Sequence, residues 1–456
     1  MSKLSIAREI SYDTLVAVVG EKKDPNETLE ANYRRYEKQL KRVDKNLAKE
    51  IVFGTLRWWS KMFWILQHTS SRDLDKSSPE VKVALCAGTY QIYYLDKIPD
   101  RAAVNESAEY MRKRKQASAV SFVNGILRQI AKKASYFPKP DKEKKPVEYL
   151  SLQYAHPNWV VERWLKRFKF DRLNEMLKRS NETPPVTVRM NSLKTSLDNQ
   201  SEFMSLLLKE EKTHSSKRPL RGTLRLKQSP DLSKDSLFGR GYYTIQDESS
   251  QLIANLVQPT DGDIVLDACS GPGGKLTHLY ELSGGKAKII SIEKDESQYQ
   301  KAKSNAERLG QDEIEFIHQD FLAYEPKVKP NKILLDAPCT GLGVLRRHPD
   351  GKMHKTEDLV EKMVNKQREL LGQAVNMLEK GGELIYSVCS FELDETVNQL
   401  TWLLETFNDK IEVVLPNNRL QDFYKKYVDR QGVLIVFAGN QDLMDGFGAF
   451  IIRKKS

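Results

Sequence analysis

The sequence predicts a multidomain chain in which an all-α helical bundle and a small α+β domain precede a doubly wound α/β domain. Three observations carry this. Apolar residues recur at helical spacing through residues 1–135, and the first strand-like run appears only at Pro185. From Gly241 short apolar runs alternate with helical stretches at the spacing that a parallel sheet with crossover helices demands. The length of 456 residues suits two or three domains with large cores.

Within residues 1–135, Ile6, Ile10, Leu15 and Val19 open a first amphipathic pattern, and Leu47, Ile51, Leu56 and Met62 mark a second, longer helix with Asp44 as its N-cap. Ser78 is expected to cap a third helix, with Pro79 supplying a preset φ at its first position, and that helix runs to about Leu95. Ile98-Pro99-Asp100 breaks the pattern before a helix carrying the basic run Arg112 to Lys115; Phe122, Ile126 and Ile130 mark the last one. About five helices are therefore expected. Taken alone, the basic run reads as a solvated helix face.

Residues 136–150 begin with a charged, aperiodic stretch and read as a linker. A small middle domain is placed at 151–240: a short helical region from His156, a strand at 185–191, a helix at 203–208, and strand fragments at best between Thr213 and Lys234. The α/β domain follows at 241–456. Its strands are expected at 263–267, 288–293, 314–318, 332–336 and 383–387, and its helices near 275–282, 295–309, 356–379 and 394–406. Two further strands, 432–437 and 449–453, suit an antiparallel edge.

Seventy-three Lys plus Arg against 62 Asp plus Glu give a formal charge of +11, which favours a polyanionic partner. Four cysteines in this length exclude a disulfide framework, so Cys86, Cys269, Cys339 and Cys389 are expected to be free thiols in a reducing cytoplasm. No charged-then-apolar leader opens the chain and no run of about 18 apolar residues occurs, so a soluble, cytoplasmic protein with no membrane association is expected. No CxxC or HxxxH pair is present, so no metal is expected.

Chemistry concentrates in Ile333 to Asp350. A buried strand ends at Asp336, and Ala337 and Pro338 lead to Cys339, so a carboxylate and a thiol stand at a strand's carboxyl end, where open α/β sheets bind ligands. Cys389 closes another strand-like run. The loop Cys269-Ser270-Gly271-Pro272-Gly273-Gly274-Lys275 follows the first strand of the α/β domain and lets backbone approach a ligand at a helix N-terminus. It is not a P-loop, because Leu276 stands where Ser or Thr must hold magnesium, and the GxGxxG pattern fails at the same residue. Glu293 ends the second strand, placed to accept ribose hydroxyls, and Asp320 ends the third, placed to receive an adenine amino group. Together these suggest S-adenosylmethionine.

Two thiols and a carboxylate suit methylation of cytosine carbon-5. That carbon is too electron-poor to attack a methyl donor until a nucleophile adds to carbon-6, and a thiolate both adds and leaves readily. Asp336, bonding at cytosine N3, would drain charge from the ring. One cysteine is then the nucleophile and the other the releasing group; the residues alone leave open which is which.

Asp-Ala-Pro-Cys at 336–339, Arg-Arg-His-Pro-Asp at 346–350, Pro-Gly-Gly-Lys at 272–275 and Cys-Ser at 389–390 resemble, in order and spacing, the RNA cytosine-C5 methyltransferases. Nearly the whole chain is similar to their bacterial small-subunit (16S) ribosomal RNA branch, the RsmB or Sun type. The resemblance implies that Cys389 is the nucleophile, that Cys339 helps release the product, and that Cys269 to Lys275, Glu293, Asp320 and Asp336 line the cofactor site of a Rossmann-like domain. It implies a NusB-like RNA-binding domain for the helical region, best matched at Asn124 to Arg128, and small-subunit ribosomal RNA as the partner; a monomer is expected. Pro184-Pro185 through Arg189 and Asn191 resembles the family's middle domain, and Gln246-Asp247 the lead-in to its catalytic one. Departures are Val388 for a frequent Thr, Ser270-Gly271 for Ala-Ala, Glu293 for Asp, and a tail, Met444 to Gly448, without a second aromatic. Two other readings stand beside this one: a NusB-like RNA chaperone with vestigial activity, and a transfer-RNA cytosine-C5 methyltransferase.

Overall fold

Helical apolar spacing builds the first part of the chain and β-forming runs the second, and the computed structural model, which describes residues 4–132, 139–195, 220–226 and 235–455, divides accordingly. One unit comprises Met1–Glu182 with Leu345–Thr356, the other Thr183–Val344 with Glu357–Ser456.

The first unit opens with helices α1 (Ile6–Glu21), α2 (Pro25–Arg35), α3 (Arg42–Thr69), α4 (Pro79–Tyr94), α5 (Asp100–Lys113) and α6 (Ala117–Lys132). They close on a core that includes Ile10, Leu15, Ile51, Leu56, Met62, Leu127 and Ile130. The sequence expectation of about five helices misses α2, which buries only Pro25, Leu29 and Tyr33, a stripe too thin to show as periodicity. Its start is nonetheless well marked, since Asp24 accepts the Glu27 N–H at 2.9 Å and Pro25 follows. Asp44 is not the N-cap of α3. It lies inside the first turn, reaching back to accept the Lys41 N–H at 3.1 Å, which is the acidic half of a capping box. Ser78 does cap α4, accepting from Val81 N–H, and the helix stops at Tyr94.

The basic run on α5 is largely neutralised within its own unit. Arg112 pairs with Glu109 at 2.6 Å, Lys113 with Glu9 at 2.5 Å, and Arg114 with Asp13. Helices α7 (Pro146–Tyr154), α8 (Asn158–Leu165) and α9 (Phe170–Arg179) complete the unit; α7 starts inside the expected linker because Pro146 presets its first turn and Leu150 and Tyr154 are buried. Leu345–Thr356 packs here as well. Lys352 donates to Asn181 Oδ1 at 2.6 Å and to the Arg57 carbonyl at 3.3 Å, and Met353 lies against the helical core.

The second unit holds two sheets. Strands β1 (Val186–Met190), β2 (Thr223–Leu226) and β3 (Tyr243–Ile245) form a small antiparallel sheet in the order β2-β1-β3. The helix expected at 203–208 lies outside the described residues, as does most of the stretch from Thr213 to Lys234, apart from β2. The larger sheet follows α10 (Glu248–Val257) and is built from β4 (Ile264–Asp267), α11 (Gly274–Leu282), β5 (Lys288–Glu293), α12 (Glu296–Leu309), β6 (Glu315–His318), β7 (Lys332–Asp336), α13 (Asp358–Met377), β8 (Glu383–Val388), α14 (Val397–Phe407), β9 (Ile411–Val414), β10 (Leu434–Val436) and β11 (Phe447–Lys454). Its order is β10-β11-β8-β7-β4-β5-β6, with β9 also paired to β11. Strands β4 to β8 run parallel and β11 runs antiparallel to β8. Every residue of β8 is buried, as expected of a central strand covered on both faces. The expected edge strands are present, but β9 joins them unforeseen. The strand order reverses between β4 and β7, which opens a crevice beyond their carboxyl ends.

Candidate active site

The crevice is walled first by the loop from β4 into α11. Gly271 and Gly273 take left-handed backbone, with φ of 53° and 85°, and a Cβ on Gly273 would stand 3.0 Å from Ala302 Cα on α12, so a side chain there is strained by both backbone and close approach. The Gly271 N–H donates to Glu293 Oε2 at 2.8 Å and the Asp295 N–H to Oε1 at 2.8 Å, which ties the end of β5 to the loop. Ser291 Oγ donates to Ser270 Oγ at 2.8 Å, and the Pro272 carbonyl accepts from Asn305 at 2.9 Å. Asp320 caps the turn after β6, accepting the Leu322 N–H at 3.0 Å. Between these elements lies a cavity of ≈ 290 Å³, lined in part by Cys269, Gly271, Glu293, Asp320, Asp336 and Pro338.

Lys275, on the first turn of α11, reaches across to Asp336 Oδ2 at 2.5 Å, and Ser387 Oγ donates to Asp336 Oδ1 at 2.6 Å. The Lys275 ammonium also stands 5.0 Å from the centre of the Phe447 ring. Asp267 is buried, and neither of its carboxylate oxygens completes a hydrogen bond with a described residue. Burial first, and the nearby Asp336 charge second, push its pKa up to about 8, while Lys275 pulls the other way. Burial, followed by the charges of Asp267, Glu293 and Asp336, also raises the Cys269 thiol.

Strands β7 and β8 are parallel neighbours with Asp336 opposite Ser387, so the two chains leave the sheet side by side. That register brings Cys339 Sγ to 3.2 Å from Cys389 Sγ; both are free, half-buried thiols. The hydrogen bond to Cys389 and then burial raise the Cys339 thiol well above the ordinary thiol range.

A family profile described as 16S rRNA methyltransferase RsmB/F matches residues 254–451, preceded by a NusB family match at 5–132 and a ferredoxin-like domain of RsmF/B-like methyltransferases at 156–233. Ribosomal RNA small subunit methyltransferase B of Shewanella oneidensis is 30% identical over 83% of this chain and 86% of its own. The chain belongs to the RsmB/F methyltransferase family. A probable ribosomal RNA small subunit methyltransferase B of Bacillus subtilis is 29% identical, and the match covers 100% of both chains. Among solved structures, PH0851 superposes with a TM-score of 0.83 over 99% of this chain and 100% of its own at 22% identity, which shows the shared fold. A methyltransferase homolog protein from Pyrococcus horikoshii is 25% identical, with a TM-score of 0.58 over 68% of this chain and 99% of its own.

As a member of the RsmB/F family the protein is a methyltransferase with a NusB helical domain ahead of a Rossmann-like α/β domain. The sequence-expected site residues fall into three places. Cys269, Gly271, Glu293, Asp320 and Asp336 line the cavity; Ser270, Pro272, Gly273, Gly274 and Lys275 shape or brace its wall; Cys339 and Cys389 face each other at the next pair of strand ends. Sequence reasoning passed over Lys294, Gln319 and Lys366 in the cavity lining, and gave no role to Asp267 or Ser387. Asp267 carried a usable signal, an acid at the end of the strand that feeds a glycine loop. Arg346 to Asp350, quoted with the site, belong to the first unit. Among the described residues no helix is long and apolar enough to cross a membrane, and no cluster of three His, Cys, Asp or Glu is placed to hold a metal.

Proposed function

We propose that this RsmB/F-family methyltransferase methylates carbon-5 of one cytosine in small-subunit ribosomal RNA, using S-adenosylmethionine. The observation that carries the reading is the Cys339–Cys389 pair, 3.2 Å apart, beside Asp336 at the crevice where the strand order reverses. S-adenosylmethionine supplies the methyl group. The cavity suits it chemically: Glu293 offers carboxylate oxygens at the end of β5, Asp320 at the end of β6, and the glycine loop leaves room for close backbone approach.

Cys389 is the nucleophile. Its sulfur adds to cytosine carbon-6, and the ring electrons shift toward carbon-5, which takes the methyl group. Asp336 bonds at N3, with the Lys275 ammonium on its Oδ2 as the proton source, and so draws charge from the ring. Loss of the carbon-5 proton to water, return of the N3 proton through Asp336 to Lys275, and elimination of the Cys389 thiolate then release the product. Cys339, which holds its proton, donates a hydrogen bond to the departing thiolate.

Two variants test the assignment. Cys389→Ala is expected to abolish transfer to RNA with no covalent complex, whereas Cys339→Ala accumulates a denaturant-stable protein–RNA adduct. Turnover at the wild-type rate by either variant would overturn it.

A further inference from the structure

The loop that carries Cys339 hangs from a carboxylate outside the cavity. Glu395, just before α14, is fully buried, and it accepts the Thr340 N–H at 2.8 Å on Oε1 and the Thr340 hydroxyl at 2.5 Å on Oε2. Gln367 of α13, also fully buried, donates to Glu395 Oε1 at 3.1 Å and to the Pro338 carbonyl at 3.0 Å. Gln399 of α14 donates to Gln367 Oε1 at 3.0 Å, and the Tyr386 hydroxyl donates to the Glu395 carbonyl at 3.0 Å. The residues on both sides of Cys339 are thereby fixed, Pro338 by its carbonyl and Thr340 by its amide and hydroxyl. Burying a carboxylate is costly unless hydrogen bonds satisfy it, and among the described residues these come from Thr340 and Gln367.

We propose that Glu395 is a positioning residue for product release: through its hydrogen bonds to Thr340 it fixes the Pro338–Cys339–Thr340 turn against Cys389. The fixed turn sets the sulfur–sulfur separation. That separation acts on the step in which Cys339 assists departure of the Cys389 thiolate. Of this network only Pro338 lines the cofactor cavity. The inference rests on the two-cysteine reading and adds what holds the Cys339 turn in place.

The test compares full-length Glu395→Gln, Glu395→Asp and Cys339→Ala with wild type. Four quantities are read: methyl transfer in a single turnover, steady-state turnover, covalent protein–RNA adduct on a denaturing gel, and thermal midpoint. Gln keeps the shape but replaces one acceptor oxygen with an amide donor, so steady-state turnover is expected to fall by roughly 10- to 100-fold, further than single-turnover transfer, with adduct accumulating. Asp keeps both acceptor oxygens and is expected to recover part of the lost turnover. A Glu395→Gln enzyme with wild-type turnover, or one whose single-turnover and steady-state rates fall together with no adduct, would contradict the inference. If Cys339→Ala gives adduct while Glu395→Gln does not, this inference alone fails; if Cys339→Ala gives none, the two-cysteine reading fails with it.

Discussion

Asp267 is a buried carboxylate that finds no well-formed hydrogen bond among the described residues, and burial pushes its pKa up to about 8 from the 3.8 of a free aspartate. The sign of the consequence is fixed by linkage. Between those values the folded chain holds a proton that the unfolded chain has lost, so Asp267 favours folding most below about pH 4 and loses that contribution as the pH rises toward 8. Asp267→Asn is therefore expected to raise the thermal midpoint of the cofactor-free protein at pH 8.5, with the gain shrinking toward pH 4 in differential scanning fluorimetry; a gain independent of pH would refute it. Residues of this kind are only half legible in a sequence. Asp336, Cys339 and Cys389 stand out because each ends or follows an apolar strand run. The role of Glu395 does not, because it depends on a contact with Thr340 across 55 positions.

The small sheet acts on the glycine loop through one arginine. Arg189 of β1 spends all five guanidinium N–H groups within the unit: Nε and Nη2 on the two Glu281 oxygens at 3.0 and 2.9 Å, Nη2 on Thr277 Oγ1 at 3.0 Å, and Nη1 on the Gly274 carbonyl at 2.8 Å and on Gln246. All but Gln246 belong to α11, whose first turn carries Lys275. Asn191, at the end of the same strand, donates to the Leu309 carbonyl at the end of α12. The two helices that flank the glycine loop are thus held from one strand. Breaking a buried ion pair from one side costs about 3–5 kcal/mol. Arg189→Met is expected to lose stability on that scale in urea unfolding and to weaken S-adenosylmethionine binding in calorimetry. Adding Glu281→Leu should restore much of the stability but little of the affinity; full recovery of affinity would show that the contact is structural only. At this scale the parallel strands were legible because they are continuous apolar runs, as β7 and β8 show. Helix α10 was not, because its Gln246-Asp247 start was read only as a lead-in, and β9 was not, because a four-residue edge strand has too short a pattern.

Across the whole molecule the sequence pattern separated helical from α/β regions, yet the chain's path between them was hidden. Leu345–Thr356 follows the Cys339 loop directly in sequence but packs with the first unit through Lys352, whose burial and Arg57 neighbour hold it well below the ordinary lysine range. Local patterning cannot show such an excursion, because its anchors, Arg57 and Asn181, lie far away in sequence. The net charge of +11 favours RNA, but the α5 basic run spends much of its charge on Glu9, Asp13 and Glu109. RNA affinity is expected to fall steeply with salt, as log K against log salt with a slope of about −0.7 to −0.9 per phosphate neutralised. A flat response in filter binding would argue against phosphate contacts. The central claim is tested most directly by transfer of labelled methyl from S-adenosylmethionine to small-subunit ribosomal RNA from cells lacking this protein, with wild type and Cys389→Ser side by side. Label on carbon-5 of a single cytosine, present with wild type and absent with the variant, is the predicted result. Label on transfer RNA instead, on another atom, or undiminished in the variant would contradict it.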